Sequence, residues 1–486
     1  MPHKDNRIAI IICLVFFVIW FCLLEYKYFN LGYYDWDLAF FSQACWQLLH
    51  ASQFTSITGI NYFGDHSYFI TLLTLPFFAL FPHPLTLILL KLSAFIIAAY
   101  LFYRIAYESL GQSAALALMV LYILFPANIF SMLYEFNPEC FAPPALFWMF
   151  MAFQKKQWRS FFIASILLML IKENMPLLVC AFGLWGLFHK GCPPKIAWGS
   201  FFLGAAVFYV LVIDVVPYFR HLSHHAFVVR YAYLGHSVGS IIFNLFTQPQ
   251  RVGKVVFLGF HDGYIQSLFG PLLVPALFSW QILLLMSPVL LQHLLSNGMS
   301  EHSIYYHYGA TMAPFIFLAT MRTLCFCSQR ANRKVSNSLL LLLIAASAIN
   351  LYGYKDAFVL RLNYHHDRLS AARWALVDAV PPQQGVITTF DFLAPLSLRE
   401  HVYTFHKVYD DSYQNPEAIK SSELNTGGPF VLPDQVRYAL IDFKDAWIIV
   451  DLQKDRRVTS ERIQAFLRKS NWTEMMSYGS IVLLKR

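Results

Sequence analysis

The segment FFIASILLMLIKENMPLLVCAFGLWGLF, from Phe161 to Phe188, decides how this chain is organised. As a single helix it would be about 42 Å long at the standard helical rise, whereas the hydrocarbon core of a bilayer is about 30 Å thick. It would also place Lys172 and Glu173 near the bilayer centre, where charges are costly. Two short helices with Lys172 and Glu173 at the turn avoid both problems.

Basic residues on both sides of this segment favour the two-helix arrangement. Arg159 precedes it, and Lys190 and Lys195 follow it. Loops on the inner side of a membrane carry an excess of Lys and Arg. A hairpin places both basic groups inside, whereas one long helix would separate them. The sequence therefore predicts a helical hairpin whose turn lies at the outer surface.

The composition of the whole chain is that of a membrane protein. Hydrophobic residues make up 57% and charged residues 13%, whereas soluble domains carry roughly 25% charged residues. The formal charge is +8, but the basic residues lie in short clusters between apolar runs and form no nucleic-acid patch. The 8 cysteines lie mostly in apolar runs without a C-x-x-C pair, so we interpret them as packing residues.

The order of apolar runs predicts the topology. Ile8 to Leu24 follows Lys4 and Arg7 and precedes no small-residue cleavage site, which indicates an uncleaved first span with its N-terminus inside. Counting the hairpins gives about eleven spans, and an odd number places the C-terminus outside. The composition becomes that of a soluble domain near Lys355. We therefore predict a transmembrane domain over residues 1–354 and an extracytoplasmic domain over residues 355–486.

The C-terminal region is predicted to be a small α/β soluble domain. It contains no phosphate loop, dinucleotide-binding fingerprint or nucleophile elbow. The fold class is thus an all-α polytopic membrane protein with a small C-terminal α/β domain. The predicted elements are helices His366–Val380 and Ser460–Lys469 and strands Gly385–Phe390, Val402–Phe405, Arg437–Asp442, Trp447–Asp451 and Ile481–Lys485.

Charged residues from distant segments return to the same predicted outer surface. A carboxylate there can accept a proton from an attacking hydroxyl, and a lysine can stabilise a departing phosphate. The alternative for each is an ordinary solvated loop residue, because outer loops need polar side chains. The candidates are Asp35, Asp37, Asp65 and His66 in the first outer loop, Glu135 and Glu139 in the next outer turn, and Lys172 and Glu173 in the hairpin turn.

Two histidine-containing stretches are less informative. Residues 217–266 are interpreted as a polar loop whose histidines lack regular spacing and a nearby carboxylate, so no metal is expected there. The cluster Tyr305–Tyr306–His307–Tyr308 is interpreted as an interfacial aromatic belt, with His307 retained as a candidate substrate-binding residue. No cofactor is expected. The loop histidines are His221, His224, His225 and His236.

Six motifs, in order along the chain, resemble domain-of-unknown-function family 2079, whose members are similar to C-type (GT-C) glycosyltransferases such as protein mannosyltransferases and lipid A aminoarabinose transferases. Each motif is short, but the ordered set covers most of the chain. The motifs are YDWDLAFFSQACW (Tyr34–Trp46), GDHSYFI (Gly64–Ile70), YEFNPECFAPP (Tyr134–Pro144), MLIKEN (Met169–Asn174), YHYGATMAPFIF (Tyr306–Phe317) and ITTFDFLAPLSLREHVYTF (Ile387–Phe405).

The resemblance implies a GT-C-like fold and transfer of a sugar from a polyprenyl-phosphate-linked donor at the outer face of a bacterial inner membrane. It implies a base in the first outer loop, at Asp37 or at Asp35. Lys172 would contact the donor phosphate. One departure is Asn137, where the family often has histidine. The remaining candidate substrate-binding residues are Glu135 or Glu139 as the orienting carboxylate, together with Glu173, Asp65, His66 and His307.

Two other functions compete with this hypothesis. One is a transporter or flippase without covalent chemistry, and the other is a non-catalytic assembly protein. A transporter is expected to contain internal repeats and charges near the bilayer midplane. The sequence has no evident repeat, and its charges favour one boundary, so the glycosyltransferase hypothesis is preferred.

Overall fold

The computed structural model describes residues 6–362, 370–409, 413, 432–445, 467 and 471–486. The chain forms two compact units. The first comprises Met1–Cys22, His66–Leu73 and Leu89–Arg361, and the second comprises Leu23–Asp65, Thr74–Ile88 and Leu362–Arg486. The second unit thus combines the C-terminal region with earlier parts of the chain. The domain boundary expected at residue 355 stays a prediction.

Long apolar helices confirm that this is a multi-pass membrane protein. Five are long and apolar enough to cross a bilayer, and a sixth span would consist of two helices bent by 47° at a short break. The total of eleven spans stays a prediction. The five are Arg7–Phe29, Pro84–Leu110, Pro194–Arg220, Gly309–Arg330 and Arg333–Gly353, and the bent pair is Gln112–Ile123 with Pro126–Leu133.

Shorter helices and one two-stranded antiparallel ribbon, Phe54–Thr55 with Ile60–Asn61, lie between these spans in the described chain up to residue 362. A π-helical stretch, Val210–Val215, lies within the span Pro194–Arg220. A 3₁₀ helix, Ala226–Tyr231, follows that span. The shorter α-helices are Asp37–Leu49, Tyr62–Asp65, Leu75–Leu80, Ala142–Gln154, Trp158–Met169, Pro176–Leu187, Val238–Thr247, Pro249–His261, Tyr264–Phe269, Leu273–Leu277, Trp280–Leu295 and Lys355–Leu362.

The predicted two-helix arrangement is confirmed, while the position of its turn at the outer surface stays a prediction. Helices Trp158–Met169 and Pro176–Leu187 are separate, and Lys172 and Glu173 lie between them. Ring centroids of Phe161, in the first half of the first helix, and Phe182, just past the middle of the second, are 6.1 Å apart. The first half of one helix therefore lies beside the second half of the other, as in an antiparallel pair. Pro176 suits the first turn of the second helix, because its missing N–H has no intrahelical partner there.

Close helix packing holds the second hairpin helix against the span that follows it. A Cβ added at Gly183 would lie 2.5 Å from the backbone nitrogen of Phe201, and one added at Gly204 would lie 2.6 Å from the carbonyl oxygen of Pro176. Small residues let helix backbones approach in this way. The turn that carries Lys172 is thus tied to a rigid neighbour.

Residues 217–266, expected to be a polar loop, contain two regular helices, Val238–Thr247 and Pro249–His261. Ser237 and Ser240 form a reciprocal capping box at the start of the first, which satisfies backbone donors that would otherwise lack partners. Both helices are amphipathic. A test for long uniformly apolar runs therefore misses them, although their helical periodicity is present.

The second unit contains a five-stranded mixed sheet in its described part. The order is Val402–Thr404, Gly385–Thr388, Val436–Asp442, Ile481–Lys485 and Thr473–Tyr478. The first two neighbouring pairs are parallel and the last two antiparallel. Helices Ser370–Asp378, Phe390–Leu396 and Phe405–Tyr409 accompany it.

This sheet confirms a small α/β region near the C-terminus. Strands were predicted at four of its five positions, and Thr473–Tyr478 was missed because it is exposed along its whole length and shows no inward-facing pattern. The predicted strand Trp447–Asp451 lies outside the described residues. The predicted helix Ser460–Lys469 does so too, apart from residue 467.

The same unit packs its C-terminal region against the first-loop helix Asp37–Leu49. The side-chain amide of Gln43 donates to the carbonyl oxygens of Arg399 and Glu400, both at 3.2 Å. The Ser56 hydroxyl donates to the Val402 carbonyl at 2.8 Å and accepts from its N–H at 2.9 Å. These buried bonds fix the helix whose first residue is Asp37.

Candidate active site

A buried ion pair joins two predicted outer turns within the first unit. The ammonium of Lys172 lies 2.7 Å from Oε1 of Glu139. Nε2 of His307 lies 3.5 Å from the same oxygen, and the Thr311 hydroxyl donates to Oε2 at 3.4 Å. Asn137 holds this turn, because its side chain accepts from the Glu139 N–H at 3.1 Å. Three of these groups were candidates from the sequence.

The electrostatics keep this pair charged. Burial alone would raise the pKa of the Glu139 carboxyl, but Lys172 and His307 together lower that pKa below its usual value. Burial alone would lower the pKa of Lys172, but the neighbouring Glu139 carboxylate raises it above its usual value. Opposite charges at contact distance favour both ionised forms. Lys172 is therefore a buried cation held in place by Glu139.

A second buried cluster is built on Glu173. Nδ1 of His66 lies 2.6 Å from Oε1 of Glu173, and Nε2 of His225 lies 3.4 Å from the same oxygen. The N–H of Ser67 donates to Oε2 at 3.1 Å. Burial would raise the pKa of Glu173, but His66 and His225 lower it well below its usual value. The ring of His66 stacks on Phe227 at 4.5 Å.

The His–Glu cluster has the composition of a metal site. Ligand atoms of His66, Glu173 and His225 all lie within 4.8 Å of one another. The sequence argued against a metal at the loop histidines because no carboxylate lies near them in the chain. The folded chain brings Glu173 to His225 from a distant segment, so that argument does not apply to the structure.

A cavity of about 330 Å³ opens beside both clusters. Lys172, Glu173 and His66 lie at its polar part, together with Arg230 and Glu301, which form an ion pair. Most of the other lining residues are apolar. The apolar lining residues are Leu177, Phe208, Val212, Phe227, Val228, Val238, Ile241, Ile242, Leu245, Pro288, Leu291 and Leu295. The cavity can hold an amphipathic molecule with an acidic head and a hydrocarbon tail.

Polar residues of three further segments fix the cavity wall. The amide of Asn174 donates to Oε1 of Gln292 at 2.9 Å. The Tyr231 hydroxyl donates to the Gln292 carbonyl at 3.1 Å. Burial would lower the pKa of Arg230, but Glu301 raises it. A second fixed cation thus faces the cavity.

Glu135 does not join the Lys172 cluster among the described contacts. It is buried, and its carbonyl oxygen lies 3.4 Å from the ammonium of Lys91. Lys91 also donates to the carbonyls of Met132 and Tyr134, at 2.7 and 2.6 Å. These are carbonyls at the end of helix Pro126–Leu133, where cations are favourable. Glu139 is the carboxylate of this turn that the structure places beside Lys172.

The three candidate aspartates belong to the second unit. Asp37 is half-buried and is the first residue of its helix; the capping position is Trp36, and no side-chain capping bond forms there. Oδ1 of Asp35 accepts from the Trp36 N–H at 2.9 Å. Asp65 ends the short helix Tyr62–Asp65. Within the first unit the structure brings together His66, Glu139, Lys172, Glu173 and His307.

The sequence missed Arg230, His225 and Glu301 as parts of this region. Arg230 had one available signal: it is a basic residue in a stretch that the topology places outside, where such residues are less frequent. Glu301 and His225 carried no comparable signal. Their partners are separated from them by many residues, so only the folded chain shows the contacts.

Two solved structures are similar to this chain over most of its length. ArnT from Cupriavidus metallidurans bound to undecaprenyl phosphate is similar over 100% of this chain and 98% of its own, with 12% identity and a TM-score of 0.50. The oligosaccharyltransferase of Archaeoglobus fulgidus is similar over 86% of this chain and 67% of its own, with 12% identity and a TM-score of 0.43. Among curated proteins none matches.

These likenesses concern the fold. The similarity to ArnT confirms the GT-C-like fold expected from the sequence motifs, and fold alone does not establish activity. The family model described as a predicted membrane protein, DUF2079, matches residues 27–473. The chain therefore belongs to the DUF2079 family of predicted membrane proteins.

Proposed function

We propose that this protein is a membrane glycosyltransferase that moves a sugar from a polyprenyl-phosphate-linked donor to an acceptor at the outer face of a bacterial inner membrane. The observation that carries the proposal is the cavity with an apolar lining and two fixed cations, Lys172 and Arg230. A polyprenyl chain is hydrocarbon, and its phosphate is an anion. The cavity offers a suitable surface to each part.

Lys172 is proposed to bind the donor phosphate. Its ammonium has three donors, and one of them is directed at Glu139. The pair keeps the ammonium in place before the lipid arrives, so little reorganisation is needed as charge develops on the leaving phosphate. Glu139 would orient the lysine, with Glu173 and His66 at the neighbouring part of the cavity.

Asp37 is proposed as the general base, with Asp35 as the alternative. The acceptor hydroxyl would give its proton to the carboxylate while its oxygen bonds to the anomeric carbon. The bond from that carbon to the phosphate oxygen would break, and polyprenyl phosphate would leave with the electron pair. The half-buried position of Asp37 and the family resemblance support this role.

One charged residue within a membrane span has a structural partner and gives no support to the transporter hypothesis. Lys91 lies within a membrane-spanning helix, where an ionisable residue is first suspected of function. Its ammonium is occupied by the carbonyls of Met132 and Tyr134. The position of Lys91 inside a span is therefore explained by its bonds to the carbonyl end of helix Pro126–Leu133, where a cation is favourable.

Lipid binding tests the proposal before any sugar is known. Purified full-length protein in detergent would be mixed with polyprenyl phosphate or with the matching polyprenol, and bound lipid would be measured by native mass spectrometry. Preferential retention of the phosphate supports a phosphate-recognising site. Equal retention of the two lipids would contradict it, because the cations would then contribute nothing.

A further inference from the structure

Three side chains from distant segments converge beside the cavity in a pattern that the sugar transfer does not require. His66 follows the first loop, Glu173 lies in the hairpin turn, and His225 precedes the 3₁₀ segment Ala226–Tyr231. Their ligand atoms all lie within 4.8 Å of one another. Glu173 and His225 are buried, and the side chain of His66 is 12% exposed.

The carboxylate is held so that one oxygen faces both imidazoles. Oε2 of Glu173 accepts from the N–H of Ser67 at 3.1 Å and from its hydroxyl at 3.5 Å. Oε1 faces Nδ1 of His66 and Nε2 of His225. Outer hydrogen bonds of this kind fix the orientation of metal-binding carboxylates. Nε2 of His225 is buried and has no well-aligned hydrogen-bond partner within the described residues.

We propose that His66, Glu173 and His225 bind one Zn²⁺ ion. Two imidazoles and one carboxylate form a ligand set that zinc uses in sites with an open coordination position. With bonds of about 2.0–2.2 Å, tetrahedral ligands lie roughly 3.3 Å apart. The present separations from Oε1 are 2.6 and 3.4 Å, and no two ligand atoms lie more than 4.8 Å apart, so side-chain shifts of about 1.5 Å or less would create the site.

One hydrogen bond opposes metal binding at His225. The N–H of Phe227 donates to Nδ1 of His225 at 3.3 Å. A neutral imidazole that binds zinc through Nε2 carries its proton on Nδ1. A protonated Nδ1 cannot accept a hydrogen bond, so the bond from Phe227 must break when zinc binds. It is a long bond between neutral groups, and zinc coordination exceeds such a bond many times over.

The open position would face the cavity, which His66, Glu173 and His225 all line together with Lys172. A water or an anionic oxygen suits that position. The suggestion that a donor phosphate supplies this oxygen rests on the proposed function. Zinc binding itself does not, because it follows from the three ligands alone.

The test measures the binding of zinc alone, without lipid or sugar. Full-length protein in detergent would be stripped with EDTA, and its zinc affinity would be measured by competition with a chromophoric chelator. We expect one zinc per chain and at least a tenfold loss of affinity in His225→Ala. The matched control is His224→Ala, because His224 is the exposed neighbour and should keep wild-type affinity.

X-ray absorption on zinc-loaded wild type keeps the proposal testable if His225→Ala does not fold. The expected spectrum contains imidazole scattering with a low coordination number. Absence of stoichiometric zinc, a spectrum without imidazole, or equal affinity in His225→Ala would overturn the proposal. None of these readouts involves sugar transfer, so failure of the zinc site and failure of the glycosyltransferase function remain distinguishable.

Discussion

The ammonium of Lys172 lies 2.7 Å from the carboxylate of Glu139, and both side chains are buried. This ion pair connects the hairpin turn to the turn before helix Ala142–Gln154. A buried pair contributes modestly to stability as a pair, but breaking it leaves an uncompensated charge. The pair therefore holds a cation in place more than it stabilises the fold.

Removal of one partner of the ion pair should destabilise the protein much more than removal of both. Glu139→Gln leaves Lys172 buried without its counter-charge and should destabilise the protein by about 3–5 kcal/mol. The double variant Glu139→Gln with Lys172→Met should recover most of that loss. The measurement is unfolding of the three variants in detergent. A double variant no more stable than Glu139→Gln would show that the two residues are not coupled.

The same pair predicts a plateau in stability against pH. The folded-state pKa of Glu139 is lowered, so its stabilisation is complete above an unfolded pKa of about 4.3 and is lost as pH falls through the folded value. The pKa of Lys172 is raised, so its stabilisation is complete below about 10.4 and is lost as pH rises through the folded value. In a His307→Gln background, which removes the imidazole beside Glu139, the free energy of unfolding with the pair intact minus that of the double variant should therefore be flat between these limits. A slope near neutral pH would contradict the assigned charges.

Lys172→Met should weaken binding of the lipid phosphate. Loss of one hydrogen bond to a charged group costs about 1.5–3 kcal/mol, which corresponds to roughly a tenfold to hundredfold loss of affinity. The matched control is Lys195→Met, because Lys195 is exposed and lies outside the cavity lining. Native mass spectrometry with polyprenyl phosphate measures both. Unchanged binding in Lys172→Met would remove this residue from the phosphate site.

The predicted topology can be tested with a native thiol. Cys192 follows the second hairpin helix and should be cytoplasmic, so a membrane-impermeant thiol reagent should leave it unlabelled in intact cells. Ser223→Cys, at an exposed position of the predicted outer stretch, should be labelled. A reporter protein that is active only in the periplasm should be active when it is fused after Arg486. Labelling of Cys192 in intact cells would show that the hairpin has the opposite orientation in the membrane.

The sequence was sufficient for the hairpin and for part of the site. Charge at the middle of an apolar run is costly, and this one physical rule located Lys172 and Glu173 at a turn. Parity of the spans then placed Glu139 on the same predicted surface. The structure brings Glu139 and Lys172 into contact, although it could equally have left them apart, since surface placement does not specify distance.

Other parts depended on tertiary contacts that no local pattern encodes. His225 had no neighbouring carboxylate in the sequence, and Glu173 reaches it only through folding. Arg230 and Glu301 pair across a long stretch of chain in the same way. The helices Val238–Thr247 and Pro249–His261 were missed for a different reason: with 10 and 13 residues they are too short to resemble membrane spans.

Asp37→Asn separates a catalytic role of this carboxylate from a structural one. Trp36 occupies the capping position of the helix and its side chain forms no capping bond, while Asp37 is the first helical residue. The substitution keeps size and removes the proton acceptor. It should therefore leave insertion, folding and lipid-phosphate binding intact. Asp378→Asn, at an exposed helix end, is the control.

Sugar transfer by purified protein tests the central claim most directly. Wild type, Asp37→Asn and Asp378→Asn would be compared for release of polyprenyl phosphate from a panel of polyprenyl-phosphate-linked sugars in the presence of membrane acceptors. We predict transfer by wild type and Asp378→Asn, and a rate about 10²- to 10⁴-fold lower in Asp37→Asn, as loss of a general base implies. Equal rates in wild type and Asp37→Asn would remove Asp37 as the base, and no transfer by wild type from any donor would contradict the glycosyltransferase function.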